Sequence, residues 1–70
     1  MNPALTEVQN EVLEYIKHFI STEGYPPTRN DIRLAFCWSS PNAAEEHLRA
    51  LARKHVIQLV PAVSRGIKVL

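Results

Sequence analysis

One cysteine among 70 residues leaves no internal disulfide to staple the fold. That usage fits a reducing compartment, and the protein is expected in the cytoplasm. No apolar run approaches the roughly eighteen residues of a membrane span, and the N-terminal stretch shows no basic-then-apolar signal pattern, so no membrane partner is expected. Positive charge is scarce too: eight Lys and Arg against seven Asp and Glu leave a formal +1. Any nucleic-acid binding must then rest on where the charges sit. There is no repeat, low-complexity tract or interdomain linker, and residues 1–70 read as a single domain, near the lower size at which one core suffices. The hydrophobic fraction of 46% is that of an ordinary globular chain and argues against wholesale disorder.

Metal-ligand motifs are missing as well. His47 and His55 do not have His-Glu-x-x-His spacing and His18 falls on another helix, so neither metal nor cofactor is expected. Cys37 has no redox motif around it. Phe36 and Trp38 read as packing under a short helix rather than as base-stacking residues.

What is present is punctuation. Thr6 with Gln9 makes a capping-box pattern, and the helix that it opens carries Val8, Val12, Ile16, Phe19 and Ile20 at helical spacing, widened by Leu13. Gly24 is a helix stop, and Tyr25-Pro26-Pro27 forces an extended turn. Thr28 with Asp31 caps a second, shorter helix with Ile32, Ala35 and Phe36 expected inward. After the link Cys37-Trp38-Ser39, Ser40 is a good N-cap and Pro41 fits the first position of a third helix. Beyond Lys54 the period changes. Val56 to Val60 and Gly66 to Leu70 read as two strands joined by the loop Pro61-Ala62-Val63-Ser64-Arg65.

The third helix is the most informative segment. Wound at 100° per residue, it puts Asn42, Glu45, Glu46, Arg49 and Arg53 on one stripe roughly 100° wide, with Ala44, Leu48 and Leu51 opposite. Taken alone, such a stripe is what any solvated helix face shows. Two short helices at a turn, an amphipathic opening helix and a terminal hairpin change its meaning. Together they describe a mainly α fold with a small antiparallel hairpin, a winged helix-turn-helix of three helices and a two-stranded wing. In that architecture the third helix can lie in the major groove of DNA. Arg65 and Lys68 on the hairpin offer a second place to meet a phosphate backbone.

The stretches Ala4-Leu5-Thr6, Pro26-Pro27-Thr28-Arg29, Ser40 through Lys54 and Ser64-Arg65-Gly66-Ile67 carry a resemblance. The chain resembles the N-terminal DNA-binding domain of the LexA family, the repressors of the bacterial SOS response, across nearly all of its length. The run Ser-Pro-Asn-Ala-Ala-Glu-Glu-His-Leu is its most specific part. The resemblance implies repression of transcription by binding palindromic double-stranded DNA operators, with pairing on two half-sites. It implies base contacts from Ser40, Asn42, Ala43, Glu45 and Glu46, and backbone contacts from Arg29, Arg53, Lys54, Ser64 and Arg65. Asn can pair with adenine, a carboxylate can accept from the amino group of cytosine, and an Ala methyl can pack on that of thymine. Longer family members carry a self-cleaving Ser-Lys protease and dimerisation domain. These 70 residues contain no such segment, so no enzymatic activity is expected of them.

The chain departs from the family pattern at several positions. Val8 and Ser39 stand where the family has arginines. Cys37 and His55 stand where it usually has glycine, so either the turns are remodelled or positive φ is imposed on side chains that resist it, at about 1 kcal/mol each. The wing tip Pro61-Ala62-Val63 is stiffer and more apolar than the usual Ser-Gly-Ala, and Leu34 falls on an exposed face. The alternative function is a protein-interaction module that uses the winged fold to dock on a repressor or an RNA polymerase subunit through Val8, Leu34, Cys37 and Val63. The free protein is expected to be a monomer.

Overall fold

The computed structural model describes residues 2–70; residue 1 of the 1–70 domain lies outside them. Three helices run in order, α1 (Glu7–Glu23), α2 (Arg29–Ala35) and α3 (Pro41–Arg53), followed by strands β1 (Ile57–Leu59) and β2 (Ile67–Val69). The fold is the winged helix-turn-helix. Each helix begins where a local side chain can satisfy its first amides. Thr6 and Gln9 exchange hydrogen bonds in a capping box, as do Thr28 and Asp31, and the Ser40 hydroxyl accepts from the Asn42 amide with Pro41 beside it. α1 ends at Gly24, whose φ of 83° is open to glycine at no steric cost.

The core is built from Leu5, Val12, Leu13, Ile16, Ile32, Ala44, Leu48, Leu51, Ile57 and Ile67. The strands pair antiparallel in the register Ile57↔Val69, Gln58↔Lys68, Leu59↔Ile67. Ile57 and Ile67 are buried while Gln58 and Lys68 face solvent, the alternation expected of a half-buried hairpin. The strands are shorter than their apolar runs: Val60 and Gly66 at the wing end, and Val56 and Leu70 at the other, lie just outside them, with the Val60 N–H donating to the Gly66 carbonyl at 2.7 Å and the Leu70 N–H to the Val56 carbonyl at 3.1 Å. Gly66 is required there by space: a Cβ would meet the Val60 carbonyl oxygen at 2.6 Å.

Two residues expected inward face out. Ala35 is exposed because α2 is only two turns long and its buried residue is Ile32. Val8 is 39% exposed because the first turn of α1 runs past the edge of the core. Asn10 does the reverse. It is buried on α1, its amide nitrogen donating to the carbonyls of Asn2, Leu5 and Thr6 and its oxygen accepting from the Asn2 amide. A polar side chain so enclosed is tolerated because its hydrogen bonds are made inside the protein; here they tie the N-terminal segment to the helix.

An aromatic band crosses from the wing to α3. Arg65 lies over the Tyr25 ring at 4.5 Å, Tyr25 meets Phe19, and Phe19 meets Tyr15. Tyr15 packs edge-on to Phe36, which stacks on Trp38 at 4.9 Å, and Trp38 stacks on His47 at 4.8 Å. Phe36 and Trp38 are thus packing residues, half-buried between α1 and α3.

Arg65 also donates to the Pro26 carbonyl at 2.8 Å and to the Asp31 carboxylate at 3.2 Å, clamping the wing to α2. Asp31 serves two partners at once. The Thr28 amide, foremost, and the Arg65 charge hold it below the ordinary carboxylate value of 3.8, against partial burial. A folded-state value below the unfolded one contributes stability above about pH 4 and loses it as pH falls through the folded value. The thermal midpoint should therefore drop on acidification below pH 4, and Asp31→Asn should lower it at neutral pH while flattening that acid limb. An Asp31→Asn protein with an unchanged acid limb would remove Asp31 from the account.

Positive φ is indeed present at Cys37 (57°) and His55 (61°), and also at Ala62 (62°). The turns keep the glycine-type conformation with side chains that resist it. Both Cys37 and His55 are exposed, so little packing opposes their removal. Cys37→Gly and His55→Gly should each raise unfolding free energy by about 1 kcal/mol, read as a higher denaturant midpoint at constant slope.

Candidate nucleic-acid interface

Ala44, Leu48 and Leu51 are completely buried, and this fixes which side of α3 faces out. Asn42, Glu46, Arg49 and Arg53 are exposed on that outer side, with Glu45 and Ala43 half-buried at its edge. α3 runs roughly 20 Å at 1.5 Å per residue. Ser40 sits at its start, its hydroxyl engaged by the Asn42 amide at 3.1 Å. Arg53 ends it and complements the negative end of the helix dipole.

Glu45 is held by two guanidiniums on this surface. Its Oε2 accepts from Arg29 Nε at 2.7 Å and its Oε1 from Arg49 Nε at 3.3 Å. Arg29 is the first residue of α2, so the pair joins the two helices of the helix-turn-helix. The Arg29 hydrogen bond is the main reason that the Glu45 carboxyl stays ionised below its usual range, reinforced by the Arg29 charge and by Arg49 against partial burial. Two guanidiniums and one carboxylate leave this group at a net charge of +1. A glutamate facing a phosphate backbone would otherwise be repelled; flanked this way, it is not. Glu46 is exposed and has no ion-pair partner among the described residues.

The groups implied as phosphate contacts are not all free. Arg29, Glu45 and the wing from Leu59 to Ser64 line one groove of about 460 Å³ between α2, α3 and the wing. Ser64 is exposed on it. Arg65 points away from it, to Pro26, Asp31 and Tyr25. At the opposite end of α3, Lys54 donates to the Ala4 carbonyl at 2.9 Å and to Gln9 Oε1 at 2.6 Å, tying the helix end to the N-terminal segment that Asn10 anchors. Arg53 has no hydrogen-bond or ion-pair partner among the described residues, and Lys68 faces solvent on β2.

The Arg29–Glu45 pair and the partners of Lys54 and Arg65 are not among the expectations from sequence. The Glu45–Arg49 pair had a signal, since glutamate four residues before arginine is a favoured helical spacing. The other contacts span 16 to 50 residues and carry no local pattern. Val8, Leu34, Cys37 and Val63 are all exposed, distributed over the start of α1, the end of α2 with its following turn, and the wing tip.

With this geometry, the comparisons are consistent. The family model described as LexA DNA binding domain matches residues 1–66. A LexA repressor from Cupriavidus pinatubonensis is 56% identical over 64 residues, covering 91% of this chain and 29% of the relative. One from Ralstonia pickettii is 56% identical over 64 residues, covering 91% and 30%, and one from Actinobacillus pleuropneumoniae serotype 5b is 52% identical over 66 residues, covering 94% and 31%. The chain thus spans under a third of the length of these relatives, the part that the family model describes as DNA-binding. Among the described residues no helix is long and apolar enough to cross a membrane. On its sequence match and its fold, this chain belongs to the LexA DNA-binding domain family.

Proposed function

We propose that this chain is a sequence-specific double-stranded DNA reader that lays α3 in the major groove of a palindromic operator of the SOS type and thereby represses transcription. The observation that carries this reading is the outer face of α3, where hydrogen-bonding side chains stand together with the charge-compensated Glu45. In this arrangement Ser40, Asn42, Ala43, Glu45 and Glu46 address base edges from the first turns of the helix. Arg53 and Ser64 meet the backbone at the two ends of the interface. Arg29, Lys54 and Arg65 use the donors left over from their internal hydrogen bonds, since a guanidinium carries five and an ammonium three.

Free in solution the chain is a monomer, and two copies pair on adjacent half-sites. A standard interface needs about 800 Å² per partner, nearly a fifth of the 4384 Å² total surface. The exposed large apolar residues are spread over several elements instead of gathered for that purpose. The wing tip, with Val60 and Val63, offers a contact small enough to need DNA to hold it.

Titration of wild-type and variant proteins against a palindromic operator and a scrambled duplex of the same length tests the reading. Asn42→Ala should lose about 1–3 kcal/mol on the operator and little on the scrambled duplex. Arg53→Ala should weaken both, and lower the salt dependence by about 0.9 in log–log slope. Equal losses for Asn42→Ala on the two duplexes would mean that α3 does not read bases. If neither substitution alters binding to DNA, docking on a protein through Val8, Leu34, Cys37 and Val63 becomes the better account.

A further inference from the structure

Glu45 presents a problem that its own helix does not solve. A glutamate side chain has three rotatable bonds, and a carboxylate selects one base only if its oxygens are held in one place. Arg49 holds one oxygen from the next turn, but it is 66% exposed and its contact is 3.3 Å long. Arg29 is the stronger constraint. Its bond to Glu45 is 2.7 Å, and the two side chains are only 25% and 27% exposed. The backbone of Arg29 is itself fixed, being the first helical residue after the Thr28–Asp31 capping box.

The donors and acceptors that remain are arranged for a further partner. Arg29 uses only Nε on Glu45, and its terminal N–H groups have no acceptor among the described residues. Each carboxylate oxygen of Glu45 receives one hydrogen bond and keeps capacity for another. Both residues line the same groove below the wing.

We propose that Arg29 is a specificity-determining positioning residue, one that holds the Glu45 carboxylate toward its base so that discrimination at that base pair depends on Arg29 as well as on Glu45. This rests on the DNA-reading function proposed above. It differs from a phosphate contact in a measurable way. A pure phosphate contact weakens binding to every sequence alike. A positioning residue loses discrimination at one base pair and leaves the others unchanged. Ionisation fits the role, since a Glu45 kept charged by Arg29 acts as an acceptor for a base amino group at neutral pH.

Arg29→Lys separates the two roles, because lysine keeps the positive charge but loses the planar fork that fits a carboxylate. Wild type, Arg29→Lys, Glu45→Ala and the double variant would be titrated against the operator and a set of single base-pair substitutions, over a range of salt. Glu45→Ala identifies the base pair, by losing roughly 5- to 150-fold of discrimination there. Arg29→Lys should lose discrimination at that same pair, with the salt slope near that of wild type. The double variant should discriminate no worse than Glu45→Ala alone. In the free proteins, NMR titration of the Glu45 carboxyl carbon should show a higher midpoint in Arg29→Lys than in wild type, a readout that needs no DNA.

Uniform weakening across all duplexes with discrimination intact at the Glu45 base pair, additive losses in the double variant, or an unmoved Glu45 midpoint would each overturn the proposal. If wild type discriminates among the duplexes and Arg29→Lys keeps the same pattern, this inference alone falls. If wild type does not discriminate at all, the DNA-reading function falls and takes the inference with it.

Discussion

The rotation of α3 about its own axis is the constraint on which the surface of this protein depends. Ala44, Leu48 and Leu51 are fully buried, and burying one leucine stabilises by about 1.5–3 kcal/mol. The exposed pairs on the opposite face contribute a few tenths each. The apolar side therefore decides, and the polar side faces wherever the core leaves it. Asn42, Glu46, Arg49 and Arg53 point outward because of residues that never meet a ligand. Substitutions in that buried set would be felt at the interface as a rotation of the whole stripe.

On this frame, long-range polar contacts hold the parts in register. Arg29 joins the start of α2 to α3, Lys54 joins the end of α3 to the N-terminal segment, and Arg65 joins the wing to α2. These pairs are partly or well exposed, where ion pairs contribute at most about 1 kcal/mol to stability. Their importance is positional. They fix which donors are spent inside the protein and which remain for a partner, and so they distinguish Arg53, which has no hydrogen-bond or ion-pair partner among the described residues, from Arg65, which already has three partners. The wing in particular is held in place by a cation–π contact and an ion pair before any DNA arrives. Such preorganisation reduces the ordering that binding must otherwise enforce.

Most of the fold was legible because its signals are local. Thr6, Gly24, Thr28 and Ser40 mark helix ends through hydrogen bonds to amides and carbonyls a few residues away, and the change of period after Lys54 marks the wing. Periodicity failed at the margins: Val8 has the right spacing but lies past the core, and Ala35 sits on a helix too short to bury a second turn. The positive φ of Cys37 and His55 was visible only through the family resemblance, and that of Ala62 was not visible at all, since alanine gives no sign of the conformation imposed on it. The outer face of α3 was readable from spacing. What orders Glu45 was not, because its main partner is 16 residues away and comes into reach only when α2 packs on α3.

Membership in the LexA DNA-binding domain family, the wing and the face of α3 together support a reader of base sequence. What separates such a reader from a protein that merely adheres to DNA is its preference between duplexes of equal length and charge. The most direct test is competitive titration of the wild-type chain against a palindromic SOS-type operator and its scrambled counterpart at physiological salt. The expected result is tighter binding to the operator by about a thousandfold or more, the usual margin of a specific DNA-binding protein. Equal affinity for the two duplexes would contradict base reading.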